Sequence, residues 1–146
     1  MQYFFQDTFT LKVKNLLKNN SYKDCELAII ECVFNLTVEQ IMTTCSAMRI
    51  NPSSQNPIAK LRINFSSGKS SSYRLYIFAL IKDEKLYFAY LYPKTGTLGQ
   101  NSLKPKQENE IIKELLVNVK TGNLQEVYLD KKKNKICLLI DSSEIF

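Results

Sequence analysis

Apolar positions in the first third of the chain recur at helical spacing. Phe9, Val13, Leu16 and Leu17 fall at i, i+4, i+7 and i+8, one face of a helix that Asp7 or Thr8 can cap. Asn19-Asn20 ends that helix, and Ser21 with Asp24 three residues on opens a second. Its body, 25–36, is apolar on most sides, which predicts deep burial. Thr37 with Gln40 repeats the capping signal, and Val38, Ile41, Met42 and Cys45 keep helical spacing. The second helix therefore either continues through Thr37 or breaks there. Residues 51–57, with Pro52 and Pro57, read as a loop.

The hydrophobic period then changes to two. Over 58–65, Ala59, Leu61, Ile63 and Phe65 alternate with Lys60, Arg62 and Asn64, which predicts a strand with a buried face and an open basic face. A turn over 66–71 leads into a second strand, 72–81. Tyr73, Leu75, Ile77, Ala79 and Ile81 face the core there, and Ser72, Arg74, Tyr76 and Phe78 face the other side. Residues 82–85 turn into a third strand, 86–92, whose faces are both apolar or aromatic, so the pattern does not orient it. After an irregular stretch, Pro105 suits the first turn of a helix with Ile111, Ile112, Leu115, Leu116 and Val119 on its apolar face. Gly122 is a natural stop. Two short strands, 126–130 and 135–141, close the chain around a solvated turn, Lys131-Lys132-Lys133-Asn134. The outline is one α/β (α+β) domain over 1–146, built β-α-α-β-β-β-α on a mainly antiparallel sheet, with an extra C-terminal β-hairpin.

Charge adds what periodicity cannot. The net charge is +6. Residues 40–82 carry Arg49, Lys60, Arg62, Lys69, Arg74 and Lys82 and no acid, and the stretches on either side nearly balance. All three arginines lie in this segment. An uncompensated basic segment is the footprint of a polyanion site or, read more plainly, a solvated surface that keeps the protein soluble.

Several function classes fall away. There is no histidine, the commonest general base and metal ligand. Cys25, Cys32, Cys45 and Cys137 form no C-x-x-C pair, which argues against structural zinc. They read as buried free thiols of a reducing cytosol, with Cys25 and Cys32 on one helix face. No Gly-rich phosphate loop occurs, and no apolar run approaches the roughly 18 residues of a membrane span. The N-terminus lacks the basic start of a signal peptide. The expectation is a cytoplasmic protein with no metal and no cofactor.

Three ordered motifs narrow the reading. Ala59-Lys60-Leu61-Arg62-Ile63 is followed by Gly68-Lys69-Ser70-Ser71-Ser72-Tyr73-Arg74-Leu75-Tyr76, then by Leu91-Tyr92-Pro93-Lys94 and a late helix. Over 3–120 this resembles the RelE/HigB-like toxins of bacterial type II toxin–antitoxin systems, in the RelE/ParE superfamily. That family shows a K-x-R strand, a G-K-S-G-G-x-R hairpin, and a strand ending in an aromatic residue followed by Lys or Arg. Residues 121–146 lie beyond the resemblance as an extension. The sequence departs from the pattern at Ser71-Ser72, where Gly-Gly is usual, at Ala59, where many relatives are basic, and at Thr95, where Asn is common.

The resemblance implies a RelE-like fold, with two N-terminal helices packed on one sheet face and RNA bound on the other. It implies an mRNA endoribonuclease (an mRNA interferase) acting on the ribosome and neutralised by an antitoxin, of helix-turn-helix type. Arg74 matches the family's phosphate-contacting arginine, and Lys60, Arg62 and Lys94 match its other basic positions. The chemistry is consistent. Attack by the 2′-oxygen of RNA needs a splayed chain, cations for the developing phosphorane charge, and proton transfer. The Arg74 guanidinium is a planar phosphate clamp, and Lys60 and Lys94 can supply charge or a proton. Arg62 and Lys69 are candidate phosphate contacts, and Tyr76, Phe78 and Tyr92 candidate platforms for unstacked bases. Two alternatives stay open: a ParE-type toxin that inhibits gyrase without cleaving RNA, and a degenerate RelE-fold binding protein.

Overall fold

The computed structural model describes residues 1–65 and 72–146. A six-stranded mixed sheet runs in the order β2-β3-β4-β1-β5-β6. Its strands are β1 (Gln2–Phe5), β2 (Ile58–Asn64), β3 (Ser72–Leu80), β4 (Lys85–Pro93), β5 (Gln125–Asp130) and β6 (Lys135–Leu138). β1 lies parallel to β4, and every other pair is antiparallel.

Three helices cover one face: α1 (Asp7–Leu17), α2 (Cys25–Ile29) and α3 (Val38–Ala47). α1 starts without a side-chain cap, Gln6 standing at the N-cap position. The Gln6 amide turns inward instead, donating to the Ala89 carbonyl at 2.7 Å. A short 3-10 turn, Asn20–Tyr22, follows with Asn19 as its cap. The carboxylate of Asp24 does not cap α2 but accepts from the Tyr73 hydroxyl at 2.6 Å. α2 runs on as a π-helical turn, Ile30–Phe34, and the chain breaks at Thr37, where Thr37 and Gln40 form a full capping box. The side chains at odd positions of β2 and β3, such as Leu61, Ile63, Leu75 and Ile77, meet Phe9, Val13, Ile29 and Ile41 beneath these helices.

The other face is not open. A fourth helix, α4 (Pro105–Thr121), lies over it with Pro105 in its first turn and Gly122 in the left-handed conformation at its end. Leu115 of α4 and Leu103 before it bury against Tyr76, Phe78, Tyr87, Ala89 and Tyr92. Side-chain hydrogen bonds fasten the helix: Glu114 accepts from Thr8, and Asn118 donates to Oε1 of the Gln6 side chain at 2.9 Å. The pairing of β3 with β4 shifts between Tyr76 and Ile77, because Tyr76 stands opposite Tyr90 and Ile77 opposite Phe88. Ala89 is the extra residue, so Ala89 and Tyr90 both lie on the α4 side. This bulge is why period-two reading could not orient the strand.

The terminal hairpin is part of the sheet, β5 pairing with β1 through Tyr3↔Val127. Its second strand is shorter than the expected 135–141. The chain turns back at Ser142, whose φ is 61°, and 143–145 pairs with the outer edge of β6. The buried Glu26 carboxylate holds this end, accepting from the Ile136 N–H at 2.9 Å and from Lys135 at 3.1 Å.

Candidate nucleic-acid interface

Strand register decides which cations meet. Arg62 stands opposite Arg74, Lys60 opposite Tyr76, and Asn64 opposite Ser72. The Ala79 N–H donates to the Pro57 carbonyl, so odd-numbered residues of β2 bond toward β3 and even-numbered ones bond outward. Arg62 and Arg74 are therefore a non-hydrogen-bonded pair, the kind in which side chains approach most closely. Like charges directly opposite destabilise a sheet. Among the described residues no carboxylate pairs with either: the single ion pair is Lys135 with Glu26.

The neighbouring strand extends the set. Arg74 lies opposite Tyr92, and the Lys94 N–H donates to the Ser72 carbonyl at 2.7 Å. Asn64, Ser72 and Lys94 thus form one row across the sheet, Arg62, Arg74 and Tyr92 the next, and Lys60, Tyr76 and Tyr90 a third. All of these side chains lie on the face away from α1–α3. Lys60, Arg62, Arg74 and Lys94 share it, and the register expected from β2 and β3 is the one found. Lys69 lies outside the described residues.

Each cation has a distinct setting. Arg62 is exposed. Arg74 is half-buried, its guanidinium donating to Ser72 Oγ at 3.0 Å and to the Tyr73 carbonyl at 3.3 Å, which aims it toward the Lys94 row. The Lys60 ammonium lies 5.7 Å from the ring centre of Tyr76 and 5.8 Å from that of Tyr92, a double cation–π contact. Lys94 donates to the Asn101 carbonyl, which ties the start of the 94–99 loop to its far side.

Contrary to the expectation from the sequence, Tyr76, Phe78 and Tyr92 form no exposed aromatic platform. Tyr76, Phe78 and Tyr92 are 0%, 8% and 0% exposed. Leu103 and Leu115 of α4 pack against these rings, and Lys60 lies over Tyr76 and Tyr92, which leaves no open platform for bases. The Tyr76 hydroxyl donates to Glu108 of α4 at 2.6 Å. Burial and that carboxylate hold its phenol well above the ordinary tyrosine range. The Tyr92 hydroxyl is buried and has no hydrogen-bond partner among the described residues. The basic rows are thus the accessible end of a face whose other end is closed.

The 94–99 loop has its own scaffold, which the sequence did not signal. Tyr22 is fully buried, and its hydroxyl donates to the Thr95 carbonyl at 2.9 Å and accepts from the Leu98 N–H at 2.8 Å. Gly96 sits above it with φ of 83°, and a Cβ there would meet the Tyr22 oxygen at 2.6 Å. An aromatic residue between Ser21 and Lys23 carries no periodic signal, and neither did Glu108 as a partner of Tyr76.

The cysteines are free. Burial pushes the Cys25 thiol up and the Cys45 thiol up to about 12. Cys32 is half-buried, its thiol donating to the Asn64 carbonyl at 3.2 Å. No helix among the described residues is long and apolar enough to cross a membrane. No protein-family model, curated protein or solved structure matches the chain.

Proposed function

We propose that the chain is a RelE/HigB-like toxin that binds an RNA backbone across Lys60, Arg62, Arg74 and Lys94 and promotes cleavage of mRNA by its own 2′-oxygen. The observation that carries this reading is the Arg62–Arg74 pair: two arginines directly opposite each other on β2 and β3, with no carboxylate paired to either among the described residues, and with Lys60 and Lys94 in the adjacent rows. Such an arrangement is unfavourable alone and is relieved by an anion. Arg74 clamps the scissile phosphate in this reading, and its Ser72 contact fixes the fork. Lys60, held over two rings, supplies fixed positive charge to the phosphorane. A cognate antitoxin and ribosome-bound mRNA are the partners this reading requires.

One observation favours a second reading, a binding protein of the same class that does not cleave. The rings that would hold splayed bases are buried under α4. Induced expression of the chain separates these readings and the gyrase alternative. Rapid loss of total mRNA with normal supercoiling supports the ribonuclease. Intact mRNA with altered supercoiling replaces it with a gyrase inhibitor. Growth without either change leaves the binding protein.

A further inference from the structure

The sheet ends at β2, and its outer edge is only partly used. Even-numbered residues of β2 direct their backbone groups outward. The Ile58 N–H donates to the Asn51 side chain, the Ile58 carbonyl accepts from the Ile50 N–H, and the Lys60 N–H donates to the Met48 carbonyl. At the other end the Asn64 carbonyl accepts from Cys32. Between them, the Lys60 carbonyl, both backbone groups of Arg62 and the Asn64 N–H have no partner among the described residues. An extended chain can pair with such an edge.

We propose that this edge accepts an acidic extended segment of a partner protein as an added antiparallel strand. Charge selects the partner. In a hydrogen-bonded pair with Arg62, the incoming residue places its side chain on the Arg62 face, directly across from Arg62 and diagonal to Lys60. A glutamate or aspartate there neutralises Arg62 and so relieves its repulsion with Arg74. A second copy of this chain would instead bring Arg62 against Arg62, so the edge disfavours self-pairing. The intervening residues of the added strand face the helix-covered side, where Cys32 and Phe65 are half-buried at the rim of the core. The recognised segment therefore alternates acidic and apolar residues.

The test uses three blocked peptides, all of sequence Glu-Val-Glu-Val-Glu, titrated into the full chain at low salt. One is unmodified, one is N-methylated at the glutamates, and one at the valines. The glutamate amides are those that pair with β2, so their methylation weakens binding by about tenfold or more, whereas valine methylation leaves it within about twofold. The amides of Arg62 and Asn64 gain hydrogen-exchange protection with the unmodified peptide. Arg62→Glu, at an exposed position, abolishes binding without changing the fold. Equal binding of all three peptides overturns the proposal and makes the edge a nonspecific polyanion surface, as for RNA. Failure of the unmodified peptide to bind, or protection elsewhere in the chain, overturns it as well.

Discussion

Replacing Arg62 by glutamine separates the stability of this protein from its binding. Arg62 is exposed and opposes Arg74 in a close cross-strand pair, so the substitution opens no cavity. Glutamine keeps most of the stem and removes the charge. The repulsion relieved is about 0.5 kcal/mol at low salt, the ordinary scale of a cross-strand pair on a wet surface. In a domain of 146 residues that raises the melting temperature by about 2 °C. The gain is electrostatic, so it must shrink as salt rises and vanish near 1 M, where the screening length is about 3 Å. Binding moves the other way. Losing one of four phosphate contacts flattens the slope of log K against log salt for single-stranded RNA from about −3 to about −2. Thermal melts at 20 mM and 1 M salt, run beside filter binding over a salt series, read both quantities. An unchanged or lower melting temperature at low salt, or a gain that persists at 1 M, refutes the claim that the two arginines repel each other.

Arg74→Ala lowers mRNA cleavage in a translation extract by about 100–1000-fold in a chain that a thermal melt shows still folded, and Arg74→Lys restores little, because a point charge lacks the fork. Parent-like cleavage by the alanine variant ends the ribonuclease reading. Gly96→Ala forces a left-handed backbone and a contact with Tyr22, costing about 2 kcal/mol; the Leu98 amide loses exchange protection before the sheet does. Burial and Glu108 raise the Tyr76 phenol above its unfolded value near 10, so the proton is kept in the fold and lost on unfolding. Stability therefore falls as pH climbs above about 10, and the fall is shallower in Tyr76→Phe, as alkaline melts would show. A thiol reagent applied to the native chain labels Cys32 alone, and all four cysteines after denaturation, since Cys25, Cys45 and Cys137 are buried.

What the sequence made legible follows from the two periods. Alternation over 58–65 placed Lys60 and Arg62 opposite Leu61 and Ile63, because a one-residue slip would have put the whole apolar set in water. The same logic carried Arg74 to the same face. Thr37 with Gln40, Pro105 and Gly122 marked helix ends correctly, each through a backbone requirement that few residues meet. Asp7 and Asp24 misled for a related reason. A short acidic side chain near a helix start is only an offer, and Asp24 bonded a tyrosine 49 positions away instead.

The largest miss was the second covered face. Tyr76 and Phe78 alternate with core residues and stand beside Arg74, so local pattern assigned them to solvent and to bases. Yet two faces bearing Phe78, Tyr87, Ala89 and Tyr92 on one side and Leu75, Ile77, Leu86 and Phe88 on the other expose too much apolar surface for either to stay wet. A late amphipathic helix with no assigned seat was the missing cover. Its apolar positions Ile111, Leu115 and Val119 are spaced by four and fit one such face. Coverage thins where the aromatic residues give way to Lys60, Arg62, Arg74 and Lys94, and the boundary crosses mixed rows, Tyr92 being buried in the row that holds exposed Arg62. It falls where the sheet face turns from apolar to cationic, since the apolar stripe of α4 gains nothing by lying over guanidinium groups that water solvates better. The change of side-chain chemistry along β2, β3 and β4 thus both seats the helix and leaves the basic rows accessible. An anion approaching this face meets cations held by a buried aromatic floor, with Glu108 engaged by Tyr76 at its boundary.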